Sequence, residues 1–253
     1  MADFLRSIPL SIAGWDPCGG AGLAADIKTF EICGEPGMGV CSAITGQSHN
    51  RFDFVNWVDK EVIFSQLSSL LRSYSFTAVK FGIVESFDLI LPLIDLLYRK
   101  NSSLFVVWDP VIKASAGYDF SRFDTGEESY LKVMEKVSLL TPNMDEASAL
   151  FKTTDPQIIA TLPLVKNGTA ILLKGGHAID NASDILITPN DVKVIKGERF
   201  DNPGKHGSGC VFSAAVCSGI AAGYNLYDAC CFAKSYTERF ILSSNHLLGR
   251  HNL

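Results

Sequence analysis

Short apolar runs alternate with helix-period stretches along most of this chain, and no other feature narrows the possible folds as far. LSIAG (10–14), MGVCSAIT (38–45), TAVKFGIV (77–84), SLFVVWDPV (103–111), VSLLTPN (137–143) and TAILLKGG (169–176) read as strands. Between them, LAADIKTFEIC (23–33) reads as a helix closed by Gly34, EVIFSQLSSLLRSY (61–74) as a second, and Ser86 as the cap of a third. Strands alternating with helices imply an α/β fold, with a central, mainly parallel sheet flanked by helices on both faces. ASDILIT (182–188) and VKVIKGERF (192–200) alternate like a hairpin at one sheet edge, and a last helix lies near LYDACCFAKSYTERFILSS (226–244).

Composition bounds what such a sheet could serve. With 253 residues, 47% of them hydrophobic and 19% charged, the chain can bury a sizeable core, and a single domain over 1–253 is the simplest account. A net charge of −5 without a broad basic stripe argues against a general nucleic-acid or membrane-surface binder. Seven cysteines, an odd number with no CxxC pair, point to reduced thiols and a cytoplasmic protein. MADFLRSIPLSIAG (1–14) reads as a first strand rather than a targeting segment, and FDLILPLIDLLY (87–98) is broken by Pro92 and Asp95 before it could span a membrane. There is no GxxxxGK[ST], no GxGxxG after the first strand and no HExxH; GxSxG is missed because His206 stands where its first glycine would be.

In open α/β sheets, ligands bind beyond the carboxyl ends of the strands, so the loops that follow strands carry the chemistry. Here they are GWDPCGGAG (14–22), TGQSHN (45–50), WDPV (108–111), TPNMDE (141–146) and KGGH (174–177). Gln47 offers a donor and an acceptor together, suited to the edge of an amino-substituted nitrogen ring. Asp109 and Glu146 are hard oxygen donors for Mg²⁺ or its water shell, and Lys174 can neutralise a phosphate. NPGKHGSGCVFSAAV (202–216) brings Gly204, Gly207 and Gly209 to the start of a helix near Ser208 to Cys210, where unpaired N–H groups favour an anion. Structural roles stay open for each: Asp26 as an exposed helix residue, Asp109 as a turn cap, Asn143 with Glu146 as a helix-capping pair, His177 and His206 as loop holders.

Taken in order, these loops resemble the hydroxymethylpyrimidine and phosphomethylpyrimidine kinases of thiamine synthesis, in the ribokinase-like superfamily. GGAGLAADIKTFE, TPNMDEA, LLKGGH and HGSGC carry the resemblance, which runs from about Leu10 to the last helix. It implies a ribokinase-like sheet, ATP and Mg²⁺, and usually a homodimer. It implies that Gln47 and Asp26 grip the pyrimidine, with Gly14, Ala21 and Val111 lining it. Asn143 and Glu146 match an NxxE pattern near metal and phosphates, and Lys174 a nucleotide-phosphate lysine. Gly207 and Gly209 fall in the anion hole, Ser208 between them is a nucleotide-binding residue, and Cys210 stands where related sugar kinases carry an aspartate base. A helix start is expected to lower the thiol pKa of that cysteine. The chain departs from the family pattern at Trp15, Pro17 and Cys18, where GSDSSGG is more usual, and at IKASAG (112–117) in place of MVAKSG. A pyridoxine-type substrate therefore stays open, as do a covalent enzyme using Cys210 with His206 as base and a non-catalytic nucleotide-binding regulator.

Overall fold

The computed structural model describes residues 8–113, 117–120, 128–175, 182–198, 200 and 204–252. His177 and residues 1–7, 114–116, 176, 199 and 202–203 of the stretches singled out above lie outside the described residues. Among the described residues nine strands form one sheet: β1 (Ile8–Trp15), β2 (Met38–Ser48), β3 (Arg51–Trp57), β4 (Phe76–Phe81), β5 (Phe105–Trp108), β6 (Leu139–Leu140), β7 (Ala170–Leu173), β8 (Asp184–Ile187) and β9 (Val192–Ile195). Their order is β3-β2-β1-β4-β5-β6-β7-β8-β9. The six strands from β2 to β7 pair in parallel, β3 runs antiparallel to β2 at one edge, and the expected β8–β9 hairpin closes the other.

Helices α1 (Gly22–Ile32), α2 (Lys60–Leu71), α3 (Ile90–Tyr98), α4 (Glu128–Lys136) and α5 (Met144–Phe151) follow in chain order. Two single turns, α6 (Pro156–Ile159) and α7 (Pro163–Lys166), come next, then α8 (Ser208–Ala221) and α9 (Leu226–Leu242). Successive strand residues face opposite sides, so each apolar strand feeds two cores. Val106, Leu140 and Ile171 join a core with α2, α3 and α5, whereas Val107, Leu139 and Leu172 join one with α1, α8 and α9. Such double burial explains why the strands read as continuous apolar runs. On the second face α8, SGCVFSAAVCSGIA, is built from small residues and is buried over most of its length. That lets its first turn lie close against the sheet. β3 is the strand that the apolar-run reading passes over, because RFDFVNW is half exposed and its apolar residues are interleaved with polar ones.

Residues 244–251 fold back over this architecture. The Lys205 ammonium donates to the carbonyl of Ser244 (2.7 Å), the His206 amide donates to that of Leu247 (2.9 Å), and the Leu248 side chain lies beside Gly20. The loop before α8 is thus fastened from outside. No helix among the described residues is long and apolar enough to cross a membrane.

Candidate active site

A cavity of about 530 Å³ opens beyond the carboxyl ends of the parallel strands. Gly14 of β1, Gln47 of β2, Val111, Asn143 and Lys174 from the loops after β5, β6 and β7, and the first turn of α8 all line it. One charged cluster lies at its centre. Asp109 is held there because its amide donates to the Phe81 carbonyl of the neighbouring strand (3.0 Å). Its buried carboxylate accepts from Lys174 Nζ (2.9 Å), Thr141 Oγ1 (3.2 Å) and Ser213 Oγ (3.2 Å). Burial pushes the Asp109 carboxyl up, but Lys174 and Lys80 outweigh it and hold the group below the usual range. Burial pulls the Lys174 ammonium down, and Asp109 and Glu146 more than reverse this.

Asn143 and Glu146 open α5 as a reciprocal capping box. The Glu146 amide donates to Asn143 Oδ1 (2.9 Å), and the Asn143 amide donates to Glu146 Oε2 (2.8 Å). Both also line the cavity, so the capping role and a cavity-facing role coexist. Burial pushes Glu146 up to about 6, with Lys174 opposing and Asp109 adding to the rise. Two buried carboxylates are hard oxygen donors, a set whose chemistry fits Mg²⁺ or its water shell.

Across from them, α8 begins at Gly207, whose φ of 76° and close approach to the Gly20 carbonyl both exclude a side chain. No side chain among the described residues caps this helix start, and Ser208, Gly209 and Cys210 line the cavity there. A β-carbon on Gly209 would lie 3.3 Å from Lys174 Nζ, so the helix start and the lysine face one spot. An anion there meets the positive helix end and an ammonium together. Cys210 sits in the same turn, but burial pushes its thiol up to about 11, with Lys80 opposing. The expected lowering by the helix start is therefore corrected: desolvation of the thiolate wins.

Gly14, Ala21 and Val111 also line the cavity, with Gln47 and Phe120. Gln47 donates through Nε2 to Thr45 Oγ1 (2.9 Å), which leaves its carbonyl for a ligand. Asp26 requires a correction. It is neither exposed nor part of the cavity lining; Lys80 Nζ (2.5 Å) and Ser11 Oγ (2.5 Å) occupy its two oxygens. The residue that does reach the cavity is Lys80, which Asp26 keeps charged against the effect of burial. Reading TAVKF as a core strand hides that lysine, since only the fold reveals its buried partner. Lys113, Asp184 and Lys234 are further wall residues that no sequence signal marks, the last two as an ion pair of 3.2 Å. His206 gives Nε2 to Asp16 at 2.9 Å, and the Cys210 thiol takes its hydrogen bond from the Gly22 amide. Among the described residues nothing pairs His206 with Cys210, so the covalent alternative lacks its base.

A family model described as phosphomethylpyrimidine kinase matches residues 16–252. The hydroxymethylpyrimidine/phosphomethylpyrimidine kinase of Staphylococcus aureus (strain MSSA476) is 31% identical over 242 residues, covering 92% of this chain and 87% of its own. Among solved structures, phosphomethylpyrimidine kinase of Clostridium difficile 630 superposes with a TM-score of 0.75 at 31% identity, over 91% of this chain and 97% of that one. Pyridoxal kinase of Staphylococcus aureus, solved with pyridoxal, gives 0.81 at 26% identity, over 93% and 88%. The same kinase has been solved with ADP and with AMP-PCP. These likenesses make the fold ribokinase-like.

Proposed function

Because this chain belongs to the phosphomethylpyrimidine kinase family, and is thus a phosphotransferase, we propose that it phosphorylates 4-amino-5-hydroxymethyl-2-methylpyrimidine and then the resulting monophosphate, with ATP as donor. The observation that carries this reading is the uncapped start of α8 facing Lys174 and Cys210 in a single cavity. Phosphoryl transfer depends mainly on alignment and charge neutralisation. Lys174 draws charge from the nucleotide phosphates, and the Gly207–Cys210 amides hold the moving phosphoryl group. Mg²⁺ supplies further charge neutralisation on those phosphates, with Asp109, Glu146 and Asn143 as the residues that would hold its hydrated ion. At the first step the Cys210 thiolate accepts the proton of the attacking alcohol; at the second the monophosphate oxygen attacks without one to lose. The reading includes a homodimer, from the resemblance, and a cytoplasmic location, supported by seven free cysteines.

A second reading, in which pyridoxal is the alcohol, is favoured by the TM-score of 0.81 to a pyridoxal kinase. ADP release measured side by side with hydroxymethylpyrimidine, its monophosphate and pyridoxal decides between the two. Turnover of the monophosphate supports the pyrimidine reading, and turnover of pyridoxal alone overturns it.

Gln47→Leu is expected to cost about 1–3 kcal/mol of ring recognition, because it leaves a polar ring edge unpaired. KM for the pyrimidine should rise far more than KM for ATP, and equal rises would refute the assignment. Glu146→Gln is expected to raise the Mg²⁺ concentration needed for half-maximal rate. Below a pKa of about 6 the wild-type carboxyl is protonated and a poorer cation partner, so its Mg²⁺ requirement should also climb as pH falls from 7 to 5. Mg²⁺ titrations at several pH values should show that trend flattened in the variant; identical trends would leave Glu146 as a capping residue only.

A further inference from the structure

The carboxylate of Asp16, buried in the loop between β1 and α1, is overloaded on one side. Its Oδ2 accepts from the Gly20 amide (3.1 Å), the Ala21 amide (2.8 Å), Cys18 Sγ (3.2 Å) and His206 Nε2 (2.9 Å), whereas among the described residues Oδ1 accepts only from the Cys18 amide (2.9 Å). One carboxylate oxygen has lone pairs for about two donors, so four compete for it. The two side-chain donors bring a sulfur and an imidazole nitrogen to the same point. Cys18 Sγ, a ring nitrogen of His206 and a carboxylate oxygen of Asp16 lie within 4.8 Å of one another, and no other group of three such residues does so among the described residues.

We propose that Asp16, Cys18 and His206 form a binding site for a zinc-type divalent cation, distinct from the Mg²⁺ of phosphoryl transfer. One sulfur, one imidazole nitrogen and one carboxylate oxygen suit Zn²⁺ and exclude Mg²⁺, which takes oxygen ligands. The protons balance. The Cys18 thiol releases its proton to solvent, and the imidazole proton moves from Nε2 to Nδ1, freeing the Nε2 lone pair. Nδ1 is buried with no hydrogen-bond partner among the described residues, so it stays unpaired, as an N–H in place of a lone pair. The carboxylate and thiolate together carry two negative charges, so the occupied site is neutral. Three backbone amides keep Asp16 in place as an outer shell, and Cys18, only half buried, leaves the fourth tetrahedral position open to water. His206 directly precedes Gly207, so the cation would join the loop after β1 to the loop before α8.

The test uses the full chain stripped of metal. Co²⁺ stands in for Zn²⁺ and should give a thiolate-to-metal charge-transfer band that saturates at one ion per chain. Cys18→Ser keeps a hydroxyl donor for Asp16 and should leave kinase turnover unchanged, yet lose the band and weaken Zn²⁺ binding by more than roughly 100-fold. In wild type, Zn²⁺ should protect Cys18 from alkylation (read peptide by peptide), raise the melting temperature and release one proton. Absence of the band, its persistence in Cys18→Ser, or alkylation of Cys18 unaffected by Zn²⁺ would each overturn the proposal.

Discussion

Replacing Cys210 by alanine is expected to slow phosphorylation of the alcohol by roughly 10²–10⁴-fold, the usual contribution of a positioned base. The loss on the monophosphate should be distinctly smaller, because a phosphate ester with a second pKa near ~6 is already ionised at neutral pH. The raised thiol pKa adds a second signature. Below its pKa of about 11 the thiol is protonated and cannot accept a proton, and each unit rise in pH multiplies the thiolate fraction about tenfold. In wild type, kcat/KM for the alcohol should therefore climb about tenfold per unit between pH 7 and 9, while the monophosphate profile stays flat. The variant should lose the slope. Equal losses on both substrates, with a melting curve that confirms folding, would reduce Cys210 to a shaping element of the anion loop. A flat wild-type profile for the alcohol would do the same.

Asp26→Ala should destabilise the protein by about 3–5 kcal/mol, since it strands the Lys80 ammonium in the core without its counter-charge. Urea unfolding measures this directly. Asp26→Ala combined with Lys80→Met should recover much of the loss, because the buried charge goes as well. If Asp26 were instead a direct ring contact, Asp26→Asn would raise KM for the pyrimidine with stability intact. An unchanged KM in Asp26→Asn would instead leave the carboxylate the task of fixing Lys80, the lysine that lines the cavity.

These two residues mark where sequence reasoning holds and where it stops. Strand-end positions fix a residue's place once the βα order is known, so Gln47, Asp109, Glu146 and Lys174 converge as the alternating pattern implies. What a pattern along the chain does not contain is which charges meet inside. Asp26 and Lys80 are 54 residues apart, on α1 and β4, and each looks ordinary in its own segment. The same holds for Asp184 with Lys234, and for Asp16 with His206. The direction of the Cys210 shift was hidden for a related reason. A helix start favours a thiolate, but how much water the thiol loses depends on packing around α8 that only the folded core determines.

The fastening of Lys205 and His206 by Ser244 and Leu247 bears on how the molecule matures. Asp16 and His206 are 190 positions apart, and the segment that clamps their junction is made later still. A chain synthesised from its amino end can pair β1, β2 and β4 while residues 244–251 have yet to be translated. The sheet can therefore be largely assembled before the loop that leads into α8 is secured, and closing contacts of such long separation is entropically slow. Competence to handle a nucleotide would arrive after compactness during biogenesis, so a ribosome-stalled chain halted before Ser244 could be folded over most of its length and still idle.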